Sequence, residues 1–456
     1  MWNEIVRVKK QREGIRSCRR KFLEGIRSCW RKFLDKIKFD KFPCEIHFYL
    51  RVTDDEKAYW AVQWAEKLQA SHELKEMNVN LIVHLVNEEA IVARQLQLRY
   101  PLLSEKDTPC IRIDHDTCKV DGSFRILLLG FSDGGQAVLR EMICNGQFVH
   151  ADPKDRFLVD VVDRNEVLTS GYAARYRDAV QAYNISFINK EVLSGDFYSW
   201  LEKNLSSYNR IIVSFWNDDL NLELAAIIVR LGKYLCLGSD WMRHRLYVRF
   251  SRSVDIFPDV CFFGSIKECY SKEVIIDEDL DRKAKKVYRT YKDANKKNLP
   301  LTEEEEWRKM DMFDQESNRS TADRLRSQLT LLGMTESALD PRGGFDPGKD
   351  RMEVLAATGH LHWNAFQLTH GIRPWPRADI TDDDVRRLHR RANDIEEHLR
   401  HAAIVAYAEL PDIDRRLDND PNHFQDNERN FIRKMGMVLC DEEPSAEGGA
   451  SGETTP

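Results

Sequence analysis

Residues 124–140 read FRILLLGFSDGGQAVLR, and this stretch decides the fold. The apolar run Phe124 to Leu129 reads as a buried strand that stops at Gly130. A glycine-rich turn holding Ser132, Gly134 and Gly135 follows, and a helical pattern opens through Ala137, Val138 and Met142. Strand, tight turn and helix in that order form the opening of a dinucleotide-binding βαβ unit. There backbone N–H groups and a helix N-terminus face a pyrophosphate. The glycine series is imperfect, because Gly130, Ser132 and Gly135 put serine where a glycine normally lets the backbone approach the phosphates. The Ser132 hydroxyl can donate to a phosphate instead.

Working outward, further strands fit at 157–162, 185–188, 210–214, 234–237 and 259–263, with helical patterns between them. This alternation over residues 121–270 predicts a doubly wound parallel sheet, whose ligands bind outside the carboxyl ends of the strands. The second strand ends in Val161-Val162-Asp163, a carboxylate 33 residues after Gly130. A carboxylate there accepts hydrogen bonds from ribose hydroxyls and disfavours a 2′-phosphate, while Arg164 beside it argues the other way. Asp163 can also be read as a helix cap or loop acid. Gly195-Asp196 and Trp216-Asn-Asp-Asp219-Leu-Asn221 fall on the same rim.

Upstream, residues 42–120 predict a small α/β unit with a parallel sheet. Its strands are Glu45 to Val52, Val79 to Val86 and Pro109 to Asp114, with helices over 54–70 and Glu88 to Leu98. It has no glycine-rich turn and is expected to pack against the domain that follows. Residues 1–41 form a basic arm with 14 Lys and Arg against five Asp and Glu, although the chain as a whole carries −6. The arm repeats with a period of 11: Glu13-Gly-Ile-Arg-Ser-Cys18 and Lys21-Phe-Leu23 return as Glu24 to Cys29 and Lys32 to Leu34. Ile15, Cys18, Phe22, Ile26, Cys29, Phe33 and Ile37 then draw one apolar stripe on a helix. Two readings stand for the arm: an amphipathic helix on an anionic membrane surface or seeding self-association, or a solvated extension.

Downstream, residues 271–299 read as a charged helical connector. Beyond Leu301 the strand signal ends, and patterns at 302–331, 350–370, 382–407 and 427–439 predict an all-α domain over 300–440. Residues 441–456, rich in Ser, Gly, Glu and Thr, predict a disordered tail. Ten cysteines without a C-x-x-C pair suggest reduced thiols in the cytoplasm. No apolar run reaches the ~18 residues a membrane span needs, and no signal-peptide pattern opens the chain. With charge concentrated in one arm, the chain reads as no nucleic-acid binder. The histidines lack ligand spacing, so no metal is expected. No G-x-S-x-G elbow, Walker loop or H-E-x-x-H occurs, and no residue is nominated as catalytic.

GFSDGG, VVDRN, SGD and NDDLN, in that order, resemble the nucleotide-binding domain of Trk-type potassium-uptake regulators, the RCK N-terminal domain, over about 122–270. The resemblance implies a regulatory NAD, NADH or adenine nucleotide (ATP or ADP) that is bound without turnover. It carries phosphate contact to Gly130, Ser132 and Gly135 and ribose contact to Asp163, with Phe131, Gly134 and Arg164 among the cofactor-binding residues. Asp196 would lie near the adenine, and Asn221 would face the site from the helix after the fourth strand.

In 300–440, Trp307 with Gln315-Glu-Ser-Asn-Arg319, Leu355 to Phe366, and His401 to Leu410 resemble the RyR domain, the repeat named after ryanodine receptors. That module occurs in bacterial proteins joined to Trk-type nucleotide-binding domains. Two positions depart from its pattern: Gly359 stands for an acidic residue, and His362 for an arginine. His360, Trp363, Asn318 and Arg319, with Trp307 and Tyr407, could line one polar and aromatic ligand pocket; the alternative is a helix–helix core with a satisfied histidine.

The expectation is a cytoplasmic, non-catalytic nucleotide sensor, reaching the inner membrane only through its arm. Its Rossmann domain would govern a RyR-like domain that reads a second small molecule or a protein, in a homo-oligomer. The alternatives are an NAD(P)-dependent oxidoreductase and a scaffold whose nucleotide pocket is vestigial.

Overall fold

The computed structural model describes residues 44–52, 55–70, 79–104, 111–252, 260–294, 302–375 and 400–440, together with Glu24. The repeat and stripe read in the arm 1–41 lie outside the described residues apart from Glu24, as does the tail 441–456. The chain divides into two compact units, residues 1–92 and 93–456. The domain limits drawn at 120, 270 and 300 all fall inside the second.

In the first unit, β1 (Cys44–Val52) and β2 (Val79–Asn87) pair in parallel, with Ile46 opposite Leu81 and Leu50 opposite Leu85. α1 (Asp55–Gln69) connects them and buries Trp60, Ala61 and Trp64. Alternation puts Ile46, Phe48 and Leu50 on one face and Glu45, His47 and Tyr49 on the other. The third strand expected near 109–114 does not join this sheet. β3 (Arg112–Asp114) instead forms an antiparallel hairpin with β4 (Lys119–Asp121), closed by a turn in which Asp114 accepts the Asp116 and Thr117 amides. Three residues of strand on either side of a tight turn favour the local partner over a distant parallel one. α2 (Glu88–Arg99) contains the boundary between the units.

The second unit is built on a six-stranded, wholly parallel sheet. Its strands are β5 (Phe124–Leu129), β6 (Phe157–Val162), β7 (Ile185–Ile188), β8 (Arg210–Val213), β9 (Leu246–Arg249) and β10 (Cys261–Phe263). The spatial order is β10-β9-β8-β5-β6-β7, so the winding direction reverses between β5 and β8. That is the order of a doubly wound α/β sheet. The fifth strand differs from the expectation at 234–237. Tyr234 ends the helix after β8, and the strand is Leu246–Arg249. In this run only Leu235 and Leu237 pack against the core, from a helix end and its turn, and Tyr234 is exposed.

The helices that accompany these strands include α3 (Asp133–Asn145), α4 (Glu166–Arg175), α5 (Arg177–Ala182), α6 (Gly195–Asn204) and α7 (Asp218–Tyr234). Leu127, Leu129, Ile211, Val213, Leu246 and Val248 bury one face against Phe197 and Leu201 of α6 and Leu224 and Ile228 of α7. Alternate residues face the other way: Arg210 reaches Met142 Sδ of α3 at 3.8 Å and stacks over the Tyr247 ring at 4.4 Å.

Further helices downstream include α8 (Arg282–Ala294), α9 (Glu303–Lys309), α10 (Met312–Leu331), α11 (Lys349–Thr369), α12 (Leu410–Leu417), α13 (His423–Arg433) and α14 (Met435–Leu439). The helix expected over 302–331 breaks between α9 and α10, where Asp311 accepts the Asp314 amide as an N-cap. Of the helix expected over 382–407, residues up to 399 lie outside the described residues. Arg400–His401 is instead a strand, parallel to Arg373–Pro374, so this region is not wholly α-helical. The helical region does not stand apart from the sheet: α10 and α11 pack on α3 and α11 on α5.

Candidate functional site

The site begins where β5 ends. Gly130 has φ +95° and donates its N–H to the Val162 carbonyl at 3.0 Å. A side chain there would be strained in conformation, and its Cβ would sit 2.9 Å from the Phe215 ring. A Cβ on Gly135 would fall on the Gly130 carbonyl oxygen. These two glycines therefore let α3 start directly above the end of β5. Ser132 is the N-cap in extended conformation, yet its side chain caps nothing. Its Oγ is buried without a hydrogen-bond partner among the described residues. Helix N-termini carry amides that have no partner within the helix. The cradle thus combines an uncapped helix start, the orphaned Ser132 hydroxyl and two glycines that allow the tight turn, and this donor set fits a phosphate-bearing group.

Several residues nominated from the sequence take other roles. Phe131 is fully buried, edge-on to Tyr172 at 5.0 Å and to Phe187 at 5.2 Å, so its ring is core rather than ligand contact. Its amide donates to Asp163 Oδ2 at 2.7 Å, while Asp163 Oδ1 accepts the Asn165 amide at 2.8 Å. Asp163 therefore braces the turn, and each oxygen keeps acceptor capacity for a ribose hydroxyl. Arg164 points outward to Glu191 at 2.7 Å, with 77% of its side chain exposed. Asp196 is exposed and paired with Lys190. Asn221 does not face a ligand: it is wholly buried, accepts the Phe215 amide at 3.0 Å and donates to the Phe215 and Arg249 carbonyls at 2.9 and 3.0 Å. Its short side chain bridges the loops after β8 and β9, a role that chain order alone does not reveal.

Three further residues at the crevice were not nominated. Ser214 follows β8, is 0% exposed, and has an Oγ without a partner among the described residues. Arg249 ends β9 with its guanidinium 4.9 Å from the centroid of Trp216, whose side of the rim is open to solvent. The sequence signal for Ser214 was a polar residue closing an all-apolar strand. Trp216 stands immediately before the NDDLN motif and carries no role in the sequence reading.

In the helical region the expected pocket separates into two groups with different partners. Trp307 is buried, Arg319 lies over its ring at 5.8 Å, and the Arg319 guanidinium binds Asp281 at 2.8 and 2.5 Å. Asn318 donates to the Asp314 carbonyl in its own helix at 2.8 Å. His360 instead stacks on Trp363 (5.6 Å, 15°) with its Nε2 2.9 Å from the Val405 carbonyl, and Trp363 meets His401 edge-on at 5.0 Å. Tyr407 donates to Glu353 at 3.2 Å and lies 6.2 Å from His360. A Cβ at Gly359 would stand 2.6 Å from Glu428 Oε2, and Glu428 of α13 pairs with Arg324 at 3.0 Å. His362 is buried edge-on to Phe148 at 5.5 Å, and burial pushes its imidazole down to about 3.

A buried polar seam joins α3 to these helices. Arg94 binds Asp281 at 2.8 Å and Asp323 at 2.9 Å. Arg140 lies 4.0 Å from Glu316, which bonds His370 Nε2 at 2.8 Å. Near these charges Glu141 accepts the Asn145 amide at 3.1 Å; burial pushes its carboxyl up to about 7, with Asp323 adding to the effect. Glu316 goes the other way: despite burial, the His370 contact holds it down to about 2.

Among the described residues no group of three or more His, Cys, Asp or Glu is placed to hold a metal ion, and no helix is long and apolar enough to cross a membrane. No family model matches the chain, and searches of curated proteins and of solved structures found no match.

Proposed function

We propose that this chain is a non-catalytic sensor in which NAD(H), or an adenine nucleotide such as ATP or ADP, binds over the end of β5. Occupancy there would control what the helical region binds. The observation that carries the reading is the turn from β5 into α3: its two glycines that admit no side chain, the uncapped start of α3 and the orphaned Ser132 hydroxyl. The packing of α3 against α10 and α11 supports the regulatory half, because the helix that would meet the phosphates also carries the seam. A ligand acts through such a helix only by binding one packing arrangement better than another. The groups around Trp307 and around His360 and Trp363 are the candidate readers of a second ligand or a protein partner.

A second reading is favoured by one observation. Asp163 already accepts two backbone amides, which suits a crevice that the protein closes for itself. Thermal-shift titration with NAD, NADH, NADPH, ATP and ADP separates the two. Stabilisation that rises with the logarithm of ligand concentration supports sensing, and a flat response to all five supports the scaffold. Steady absorbance at 340 nm with NADH and a panel of carbonyl compounds would argue against an oxidoreductase.

A further inference from the structure

We propose that the crevice takes a dinucleotide in preference to a mononucleotide, with the second base stacked on Trp216 and Ser214 donating to the ligand beside the phosphate turn. The inference rests on the phosphate-binding reading above and adds a second arm to the same site.

The argument follows the sheet from β5 towards β9. Along β8, Ile211 and Val213 face α6 and α7, whereas Arg210 faces α3 through Met142. Side chains alternate along a strand, so Ser214 falls on the Arg210 side, the side from which α3 rises. Its hydroxyl is fully buried and unpartnered among the described residues, next to a backbone amide that donates to the Leu129 carbonyl at 2.8 Å. Buried hydroxyls nearly always have a partner, and a second orphan stands across the turn at Ser132. Two unmet hydroxyls flanking one uncapped helix start call for an acceptor between them.

Along β9 the same logic holds. Leu246 and Val248 join the α7 side, and Tyr247 meets Arg210 on the other, so Arg249 also belongs to the α3 side. The Arg249 guanidinium lies over the ring of Trp216, which is nevertheless 52% exposed. The residue before it, Phe215, packs on Gly130, so the indole stands next to the phosphate turn. An indole held on one side by a cation and open to water on the other is a stacking surface for a flat base. Asp163 lies on the opposite side of Gly130, at the end of β6. A ligand with its phosphates at the turn can place one ribose near Asp163 and a second base on Trp216 only if it has two nucleosides.

The test is calorimetric titration of the full chain with NAD and with ADP, for wild type, Trp216→Ala, Trp216→Phe and Ser214→Ala. Wild type should bind NAD at least about tenfold more tightly than ADP, the usual worth of one base stacked on an aromatic ring. Trp216→Ala should remove that advantage and leave ADP affinity alone, and Trp216→Phe should restore most of it. Ser214→Ala should cost roughly two- to tenfold in NAD affinity, the range of one neutral hydrogen bond. Equal affinities for NAD and ADP in wild type would overturn the inference while the sensing reading stands, as would an NAD preference that survives Trp216→Ala. Failure of both ligands to bind wild type removes the sensing reading and this inference together.

Discussion

Asp163 Oδ2 accepts the backbone N–H of Phe131 at 2.7 Å, tying the end of β6 to the glycine turn after β5. The carboxylate is thus part of the turn's architecture as well as a candidate ribose acceptor. Asp163→Ala leaves the Phe131 and Asn165 amides without their acceptor, at a cost of about 1–3 kcal/mol. Urea denaturation should show a lower midpoint at unchanged slope, and NAD titration a weaker affinity. A variant as stable as wild type would mean that water replaces the carboxylate at this turn.

The two glycines of the turn are not equivalent. Gly130→Ala meets both a positive φ and the Phe215 ring, and ring movement can relieve only the second. Gly135→Ala drives a methyl against the Gly130 carbonyl, where only backbone can give way. Both should destabilise by about 1–3 kcal/mol, and Gly135→Ala should also move α3. Thermal midpoints and near-UV circular dichroism of both variants test this. Wild-type values for Gly135→Ala would show that α3 lifts away without cost.

Arg94 is the buried cation that serves two carboxylates, Asp281 and Asp323. Arg94→Met should cost about 3–5 kcal/mol, because Asp323 keeps its burial and loses this partner, while Asp281 retains Arg319. Adding Asp323→Leu to Arg94→Met should recover part of the loss, since a buried ion pair often breaks even against apolar replacement. A double mutant no more stable than the single one counts against this account.

Glu141 sets the pH behaviour of the seam. Its carboxyl is raised to about 7 by burial and by Asp323 and Glu316, against Arg94 and Arg140. A carboxyl raised on folding contributes stability that is fully present below its unfolded pKa and lost as pH rises through the folded value. The Glu141 contribution to the thermal midpoint should therefore fall between pH 5 and pH 8, against the rise that buried His362, held down to about 3, brings as pH climbs to the ordinary imidazole range. Glu141→Gln should flatten that fall, with the gap between variant and wild type widening towards pH 8. Asp281 and Glu316, held to about 2, lose their contributions only as pH drops below the ordinary carboxylate range, outside this window. Parallel profiles for variant and wild type would remove Glu141 from the seam's titration.

Legibility in the sequence followed the range of the interaction. The strand, turn and helix at 124–140 could be read because a buried parallel strand is an unbroken apolar run and the turn needs glycine for local reasons. Leu246–Arg249 is hard to read because its apolar run is only three residues long and lies between Arg243, Arg245 and Arg249, although Arg249 is buried beside a tryptophan. Asn221 was read as site-facing from its place after β8, and only the spacing of the β8 and β9 loops turns its amide into a bridge. Arg319 and His360 share a helical neighbourhood in the sequence, yet Asp281 draws one away and Val405 holds the other.

From the order of its residues alone, this protein's parallel sheet and its glycine turn follow, because strand burial and tight-turn geometry depend on neighbours a few positions apart. Tertiary structure alone decided that α10 and α11 lean on α3, that Glu141 sits near Arg94 of α2 and the acids Glu316 and Asp323 of α10, and that Ser214 and Trp216 stand beside the turn at Gly130. Those relations join residues tens to hundreds of positions apart, and no local pattern encodes which distant charge or ring will arrive.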